Sequence, residues 1–161
     1  MEELNFDVVV VGGGPAGSSA AHMAAKNGCT VALIEKEKEI AETVRTSGVT
    51  WISDINEFGI PKDCYNPIKK FSFCSPKNYV TIADDIAKEA VLDVRKTYRF
   101  LATRAKSSGS ELFTDTNVSE GLKDSSGKCV GVVAKSQGKV MQFNAKVVID
   151  ASGFTSIVAK E

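Results

Sequence analysis

The stretch from Phe6 to Glu35 constrains this chain more than any other. Phe6-Asp7 leads into Val8-Val9-Val10-Val11, a β-branched run suited to a strand buried on both faces. The run stops at Gly12-Gly13-Gly14-Pro15-Ala16-Gly17. A helical stretch is predicted from Pro15 to about Asn27, with Gly28 closing it as a C-terminal cap. A second apolar run, Val31-Ala32-Leu33-Ile34, ends on Glu35. This order predicts a βαβ unit with the G-x-G-x-x-G spacing at Gly12, Gly14 and Gly17. Each residue type has a physical task. Gly12 permits a tight turn out of the strand, Gly14 lets a pyrophosphate reach the backbone, and Gly17 lets the helix lie close to the strand. Pro15 suits the first helical turn, where its missing N–H had no partner to lose. The helix N-terminus offers free N–H groups and about half a positive charge. Glu35 stands at the tip of the second strand, eighteen positions after Gly17, where a carboxylate can accept hydrogen bonds from ribose hydroxyls. The bland alternative is a glycine-rich turn that binds nothing.

Composition narrows the remaining classes. At 161 residues the chain suits one domain or one large part of a longer protein, and 43% hydrophobic residues can fill a core. Twenty basic and twenty acidic residues cancel, which points away from nucleic acid and from anionic membranes as partners. No apolar run approaches the ~18 to 20 residues of a membrane span. Met1-Glu2-Glu3 is acidic, unlike a signal peptide. Cys29, Cys64, Cys74 and Cys129 are scattered, as reduced cytoplasmic thiols would be, and no metal site is expected. His22, the single histidine, is read as a packing or surface residue of the first helix, with a place at the cofactor as the alternative.

The rest of the chain reads more coarsely. Lys36-Glu37-Lys38-Glu39 is a solvated charged stretch, and Glu42 to Val49 a polar loop whose Arg45 either reaches the cofactor or sits in a surface ion pair. Trp51 to Pro67 is expected to be irregular, broken by Gly59, Pro61 and Pro67. Phe71–Cys74 and Tyr79–Ile82 form a hairpin about Ser75–Asn78, its aromatics expected to cover core, with a substrate cavity as the alternative. A helix is predicted from about Arg95 to Ser108, with Tyr98, Leu101, Ala102 and Ala105 as its apolar stripe and Gly109 ending it. Short strands follow at Glu111–Thr114, Val118–Leu122, Cys129–Ala134 and Val140–Asn144, the last three an antiparallel meander. Lys146–Asp150 is a further buried strand, and Ser156 a helix start that the chain end cuts short, which suggests a fragment.

In order, Asp7–Ser18, Ile34-Glu35-Lys36, Val44–Gly48, Val94-Arg95 with Leu101-Ala102 and Ala105, and Val148–Gly153 through Ser156 resemble the N-terminal part of FAD-dependent oxidoreductases of the geranylgeranyl reductase family. That family sits within the p-hydroxybenzoate-hydroxylase-like flavoproteins. The resemblance covers essentially the whole chain. It implies that Gly12, Gly14, Ala16 and Gly17 hold the pyrophosphate of FAD and Glu35 binds its adenosine ribose. It further implies that Arg45, Thr46 and Ser47 lie on the flavin side, that Arg95 contacts the cofactor where its helix begins, and that Val118 offers backbone atoms to adenine. Two departures stand out. Reductases of the family often carry Arg-Cys where this chain has Arg45-Thr46, and related hydroxylases carry Asp-Gly where it has Ser152-Gly153. The second argues against a nicotinamide-using hydroxylase.

The expected fold is therefore α/β: a FAD-binding, three-layer ββα Rossmann-like domain with an antiparallel β-meander. It is expected to span 1–161 as a C-terminally incomplete N-terminal fragment, with the start of a substrate-domain β-region at about 71–82. The implied activity is reduction of isoprenoid C=C bonds of lipids by a flavin-dependent oxidoreductase, the chain alone being inactive. No residue qualifies as a catalytic acid. The implied partners are an isoprenoid or other small apolar substrate and an unidentified electron donor. The implied location is cytoplasmic, with peripheral membrane contact in the full-length protein. A flavin monooxygenase or halogenase would share this half, and a non-catalytic nucleotide-binding module remains a further alternative. A plain NAD-dependent dehydrogenase would need a regular second βαβ half, which the sequence lacks.

Overall fold

The computed structural model describes residues 2–159. Two compact units divide the chain: one runs up to Thr43 and resumes at Tyr98, and the other is Val44–Thr97. The first unit opens with β1 (Glu2–Val11), α1 (Pro15–Lys26) and β2 (Val31–Ile34). The second holds β3 (Val49–Trp51), α2 (Ile52–Glu57), β4 (Tyr65–Ile68), β5 (Lys70–Cys74), β6 (Tyr79–Ala83) and β7 (Glu89–Leu92). The division falls inside α3 (Val94–Ser107), after which the first unit continues with β8 (Glu111–Phe113), β9 (Thr116–Lys123), β10 (Cys129–Ser136) and β11 (Lys139–Asp150).

The six strands of the first unit form one sheet in the order β8-β2-β1-β11-β10-β9. The first four are mutually parallel, and β11, β10 and β9 run antiparallel as the meander. Val8–Val11 and Val31–Ile34 are buried throughout, as their unbroken apolar runs require. Alternate side chains serve opposite faces. Val8, Val10, Val31 and Leu33 meet Ala21 and Ala25 of α1 and Ala105 of α3. Val9, Val11, Ala32 and Ile34 meet Val118, Val132, Ala134 and Phe143 of the meander strands. Helices, parallel strands and curled meander are thus the three layers of the expected ββα arrangement. Phe113 and Phe143 pack edge-to-face at 5.0 Å within the meander-side core.

Two expectations in this unit are corrected. Val140–Asn144 and Lys146–Asp150 are one strand, β11, because β1 extends back to Glu2 and pairs along it from Met141 to Asp150. No glycine or proline interrupts that run. No helix starts at Ser156 among the described residues. Gly153–Thr155 is a single 3-10 turn and Ser156 is left-handed at φ 44°. The amides of Val158 and Ala159 are taken by the Asp150 carboxylate instead.

In the second unit, β3 and β4 flank β7 as an antiparallel sheet, and β5 pairs with β6. The segment expected to be irregular, Trp51 to Pro67, therefore holds the last residue of β3, a six-residue helix and most of β4. The partner of both strands, β7, lies far along the chain, so no local pattern announces them. The hairpin is where it was expected, but its aromatics do not cover core: Phe73 is 62% and Tyr79 78% exposed.

Candidate functional site

At the C-terminal end of β1 the chain turns through Gly12, Gly13 and Gly14 into α1. Gly12 has φ +106°, and a Cβ there would lie 2.4 Å from the Ala151 carbonyl oxygen. A Cβ at Gly17 would lie 1.8 Å from the Gly12 carbonyl oxygen, so no other residue lets α1 approach this closely. Gly14 is different in kind. It is the N-cap of α1 with extended φ and ψ, and a Cβ on it would meet nothing within 4 Å. The turn thus has two glycines demanded by backbone packing, Gly12 and Gly17, a third, Gly13, whose Cβ would lie 2.5 Å from Ile40 Cδ1, and one, Gly14, that faces open space.

That space lies before a helix N-terminus whose donors are unspent. Pro15 occupies the first turn, no side chain caps the end and no acid stands there. Ser18 is the first residue whose N–H bonds back, to the Gly14 carbonyl at 2.9 Å. Ala16 and Gly17 precede it, and their N–H groups are the ones an α-helix leaves without intrahelical acceptors. Their exposure differs: Ala16 is exposed and Gly17 buried. An anion placed against these amides would gain both hydrogen bonds and the favourable end of the helix dipole.

Glu35 borders the same turn. Its Oε2 accepts from the Gly13 N–H at 2.7 Å and its Oε1 from the Glu37 N–H at 2.9 Å. Each oxygen keeps acceptor capacity for a further donor. The Glu35 carbonyl accepts from the Thr116 N–H at 3.0 Å, which ties the start of β9 to the same corner. Val118 lies two residues on, its side chain in the core and its strand at the edge of the sheet. The first unit therefore brings together Gly12, Gly14, Ala16, Gly17, Glu35 and Val118.

Arg45, Thr46, Ser47 and Arg95 all belong to the second unit. The loop carrying the first three is exposed, and Thr46 Oγ1 accepts from the Gly48 N–H at 3.3 Å. The Gly48 carbonyl accepts from the Leu92 N–H at 2.9 Å, beside the start of α3. Asp93 caps α3, its Oδ1 accepting from the Lys96 N–H at 3.0 Å, so Arg95 stands exposed in a capped first turn. Loop and helix start are neighbours within this unit. Arg45 makes no ion pair among the described residues, unlike the surface-pair alternative.

His22 is a packing residue: its Nδ1 lies 2.8 Å from Ser108 Oγ, and burial followed by the nearby Arg104 and Lys26 charges lowers its pKa. The residue the sequence reading gave no role is Asp150. Burial pushes its carboxyl pKa up, but hydrogen bonds from Ser152, Ala159 and Val158 outweigh that and hold it below the ordinary value. Only its bonds to Ser152 had a sequence signal, since an Asp two residues before a Ser-Gly pair suits an Asx-type turn.

A family model described as FAD dependent oxidoreductase matches residues 7–160. A digeranylgeranylglycerophospholipid reductase from Methanocaldococcus jannaschii is 38% identical over 99% of this chain and 41% of its own length. An uncharacterized protein in the nifH2 5' region of Methanosarcina barkeri is 34% identical over 98% of this chain and 88% of its own length. Among solved structures, a geranylgeranyl bacteriochlorophyll reductase-like protein from Thermoplasma acidophilum superposes with a TM-score of 0.85 at 29% identity, covering 94% of this chain and 40% of that one. The chain thus spans about two fifths of the reductases it matches.

Proposed function

Because this chain belongs to the FAD dependent oxidoreductase family, with FAD as the cofactor, we propose that it is the FAD-binding part of a geranylgeranyl reductase-like enzyme that saturates isoprenoid C=C bonds of lipids. The single observation that supports the binding site most directly is Gly14, whose missing side chain leaves open the space before the α1 N-terminus. Gly12, Gly14, Ala16 and Gly17 are the proposed pyrophosphate holders, Glu35 the ribose acceptor and the Val118 backbone the adenine contact. In the second unit Arg45, Thr46, Ser47 and Arg95 are the proposed cofactor residues, on family resemblance.

FAD, when bound, supplies the hydride chemistry that alkene reduction requires. The chain's own residues do the binding and orienting. The α1 amides offset pyrophosphate charge without a lysine or arginine in the turn. The Gly13 and Glu37 N–H groups fix both Glu35 oxygens, so the carboxylate is already oriented before a ribose hydroxyl arrives. The hairpin region at about 71–82 is proposed as the start of the substrate-domain β-region. The proposed substrate is an isoprenoid lipid, with an unidentified electron donor. No helix among the described residues is long and apolar enough to cross a membrane. A cytoplasmic protein that touches the membrane peripherally is the proposed setting.

The test has two stages. Cofactor extracted from the purified full-length protein should chromatograph as FAD; NAD, or no nucleotide at saturating FAD, contradicts the binding reading. The reduced full-length holoenzyme incubated with a geranylgeranyl lipid should then yield product gaining two hydrogens per double bond. Hydroxylated or halogenated product would instead assign the monooxygenase or halogenase alternative.

A further inference from the structure

The strand that ends beside the glycine turn carries a carboxylate with four donors on it. Asp150 Oδ1 accepts from the Ser152 N–H at 3.1 Å and the Ser152 hydroxyl at 2.6 Å. Its Oδ2 accepts from the Val158 and Ala159 N–H groups, both at 2.9 Å. The Ser152 hydroxyl oxygen in turn accepts from the Ile157 N–H at 3.1 Å. One carboxylate and one hydroxyl thereby close residues 152–159 into a knot, with Ile157 and Val158 packed on the meander-side core.

Ala151 joins this knot to the turn. Its N–H donates to the Val11 carbonyl at 2.9 Å, and its carbonyl oxygen occupies the space a Gly12 side chain would need. Its Cβ would lie 3.3 Å from a Cβ at Gly17. The residue between Asp150 and Ser152 is therefore the floor on which the turn rests. We infer that Asp150, with Ser152, is a positioning pair for nucleotide binding: the knot fixes Ala151, and Ala151 fixes the Gly12–Gly17 turn that presents its amides to the ligand. Asp150 touches no proposed ligand site itself and acts through the backbone of Ala151. The inference deepens the FAD-binding reading and rests on it for the identity of the ligand. It also gives Ser152 a task of its own, as donor to Asp150 and acceptor from Ile157.

An internal control exists. Asp124, in the turn between β9 and β10, accepts from the Ser126 N–H, the Ser126 hydroxyl and the Lys128 N–H at 2.8, 2.6 and 3.1 Å. It is the same kind of carboxylate-anchored turn, and the hydrogen bonds of its carboxylate stay within residues 124–128.

The experiment uses the full chain as wild type, Asp150→Asn, Ser152→Ala, Ser152→Thr and Asp124→Asn. FAD affinity is measured by flavin fluorescence titration, and amide hydrogen exchange at Gly12, Gly13 and Ser18 is measured without nucleotide. Asp150→Asn puts an amide donor where two N–H groups now point, and should raise the FAD dissociation constant about tenfold. It should speed exchange at the three amides by a similar factor. Ser152→Ala should raise the constant by roughly threefold, and Ser152→Thr, which keeps the hydroxyl, should restore it. Asp124→Asn should lower the unfolding temperature yet leave affinity and these amides unchanged. If Asp150→Asn fails to fold, the Ser152→Ala and Ser152→Thr pair decides. The inference is overturned if affinity follows unfolding temperature equally in the Asp150 and Asp124 variants, or if exchange at Gly12, Gly13 and Ser18 ignores Asp150 and Ser152. A wild type that binds no FAD but whose turn amides still respond to Asp150→Asn would refute the FAD reading while upholding the positioning role.

Discussion

The parallel strands of the first unit and the hairpin of the second are built from similar residues and end in opposite environments. Val9, Val10 and Ala32 are fully buried, with cores on both sides of their sheet. In the hairpin, the register sets Phe71 opposite Ile82 and Phe73 opposite Val80, which gathers the four apolar residues on one face. Ser72 and Thr81 lie on the other face, their hydroxyls 2.7 Å apart. That face pattern is cleaner than anything in β1, yet Phe73, Val80 and Ile82 remain well exposed. Side-chain alternation defines which face is apolar, whereas burial requires a second layer. In the first unit the chain supplies that layer twice, as helices and as meander.

The comparison can be broken most forcefully at Gly17. Gly17→Val places a side chain on the Gly12 carbonyl, and cooperative thermal unfolding should be lost or fall by more than about 3 kcal/mol. A chain that kept its wild-type transition would show that α1 has room to move off the sheet. Phe143→Ala, at a fully buried site, should cost roughly 3–5 kcal/mol in denaturant unfolding. A cost under about 1 kcal/mol would mean the meander-side core is loosely packed.

A smaller effect is expected from acid. The Asp150 pKa is depressed in the folded chain, so its contribution is complete above the ordinary aspartate value of 3.8 and is lost as pH falls through the folded value. Stability measured from neutral pH down to that region should decline less steeply in Asp150→Asn than in wild type, and parallel curves would contradict the role of its hydrogen bonds. Smallest of all should be Phe73→Ser in the hairpin, within about 0.5 kcal/mol of wild type, with less self-association in light scattering. A loss comparable to Phe143→Ala would mean the hairpin face is covered in solution.

Local pattern made the first unit legible. The β1-turn-α1-β2 order, the α3 stripe and the meander turns all follow from residues near one another in sequence. Leu101, Ala102 and Ala105 of the stripe are indeed buried. Where pairing is non-local the reading failed: β3 and β4 are short and find their partner β7 some tens of residues away. The long β11 reads as two strands because Asn144 and Lys146 place polar residues on either side of Ala145, although its pairing with β1 continues past that point. The glycine turn and the place of Glu35 beside it were legible because strand, glycine spacing, helix and strand-end acid follow one another locally. The Asp150 knot was not, since its donors at Val158 and Ala159 are backbone groups that any residue would carry.

The central claim is that the space before α1, kept open by Gly14, holds the FAD pyrophosphate. Gly14→Val tests it directly, because the backbone there is extended and accepts valine, and the new Cβ meets no protein atom within 4 Å. Wild type and variant should be titrated with FAD beside a thermal melt of each. The account predicts an unchanged melt within the roughly 1 kcal/mol cost of altering an N-cap, and affinity weakened by about a hundredfold or more. Equal FAD affinity in a variant that melts like wild type would contradict it.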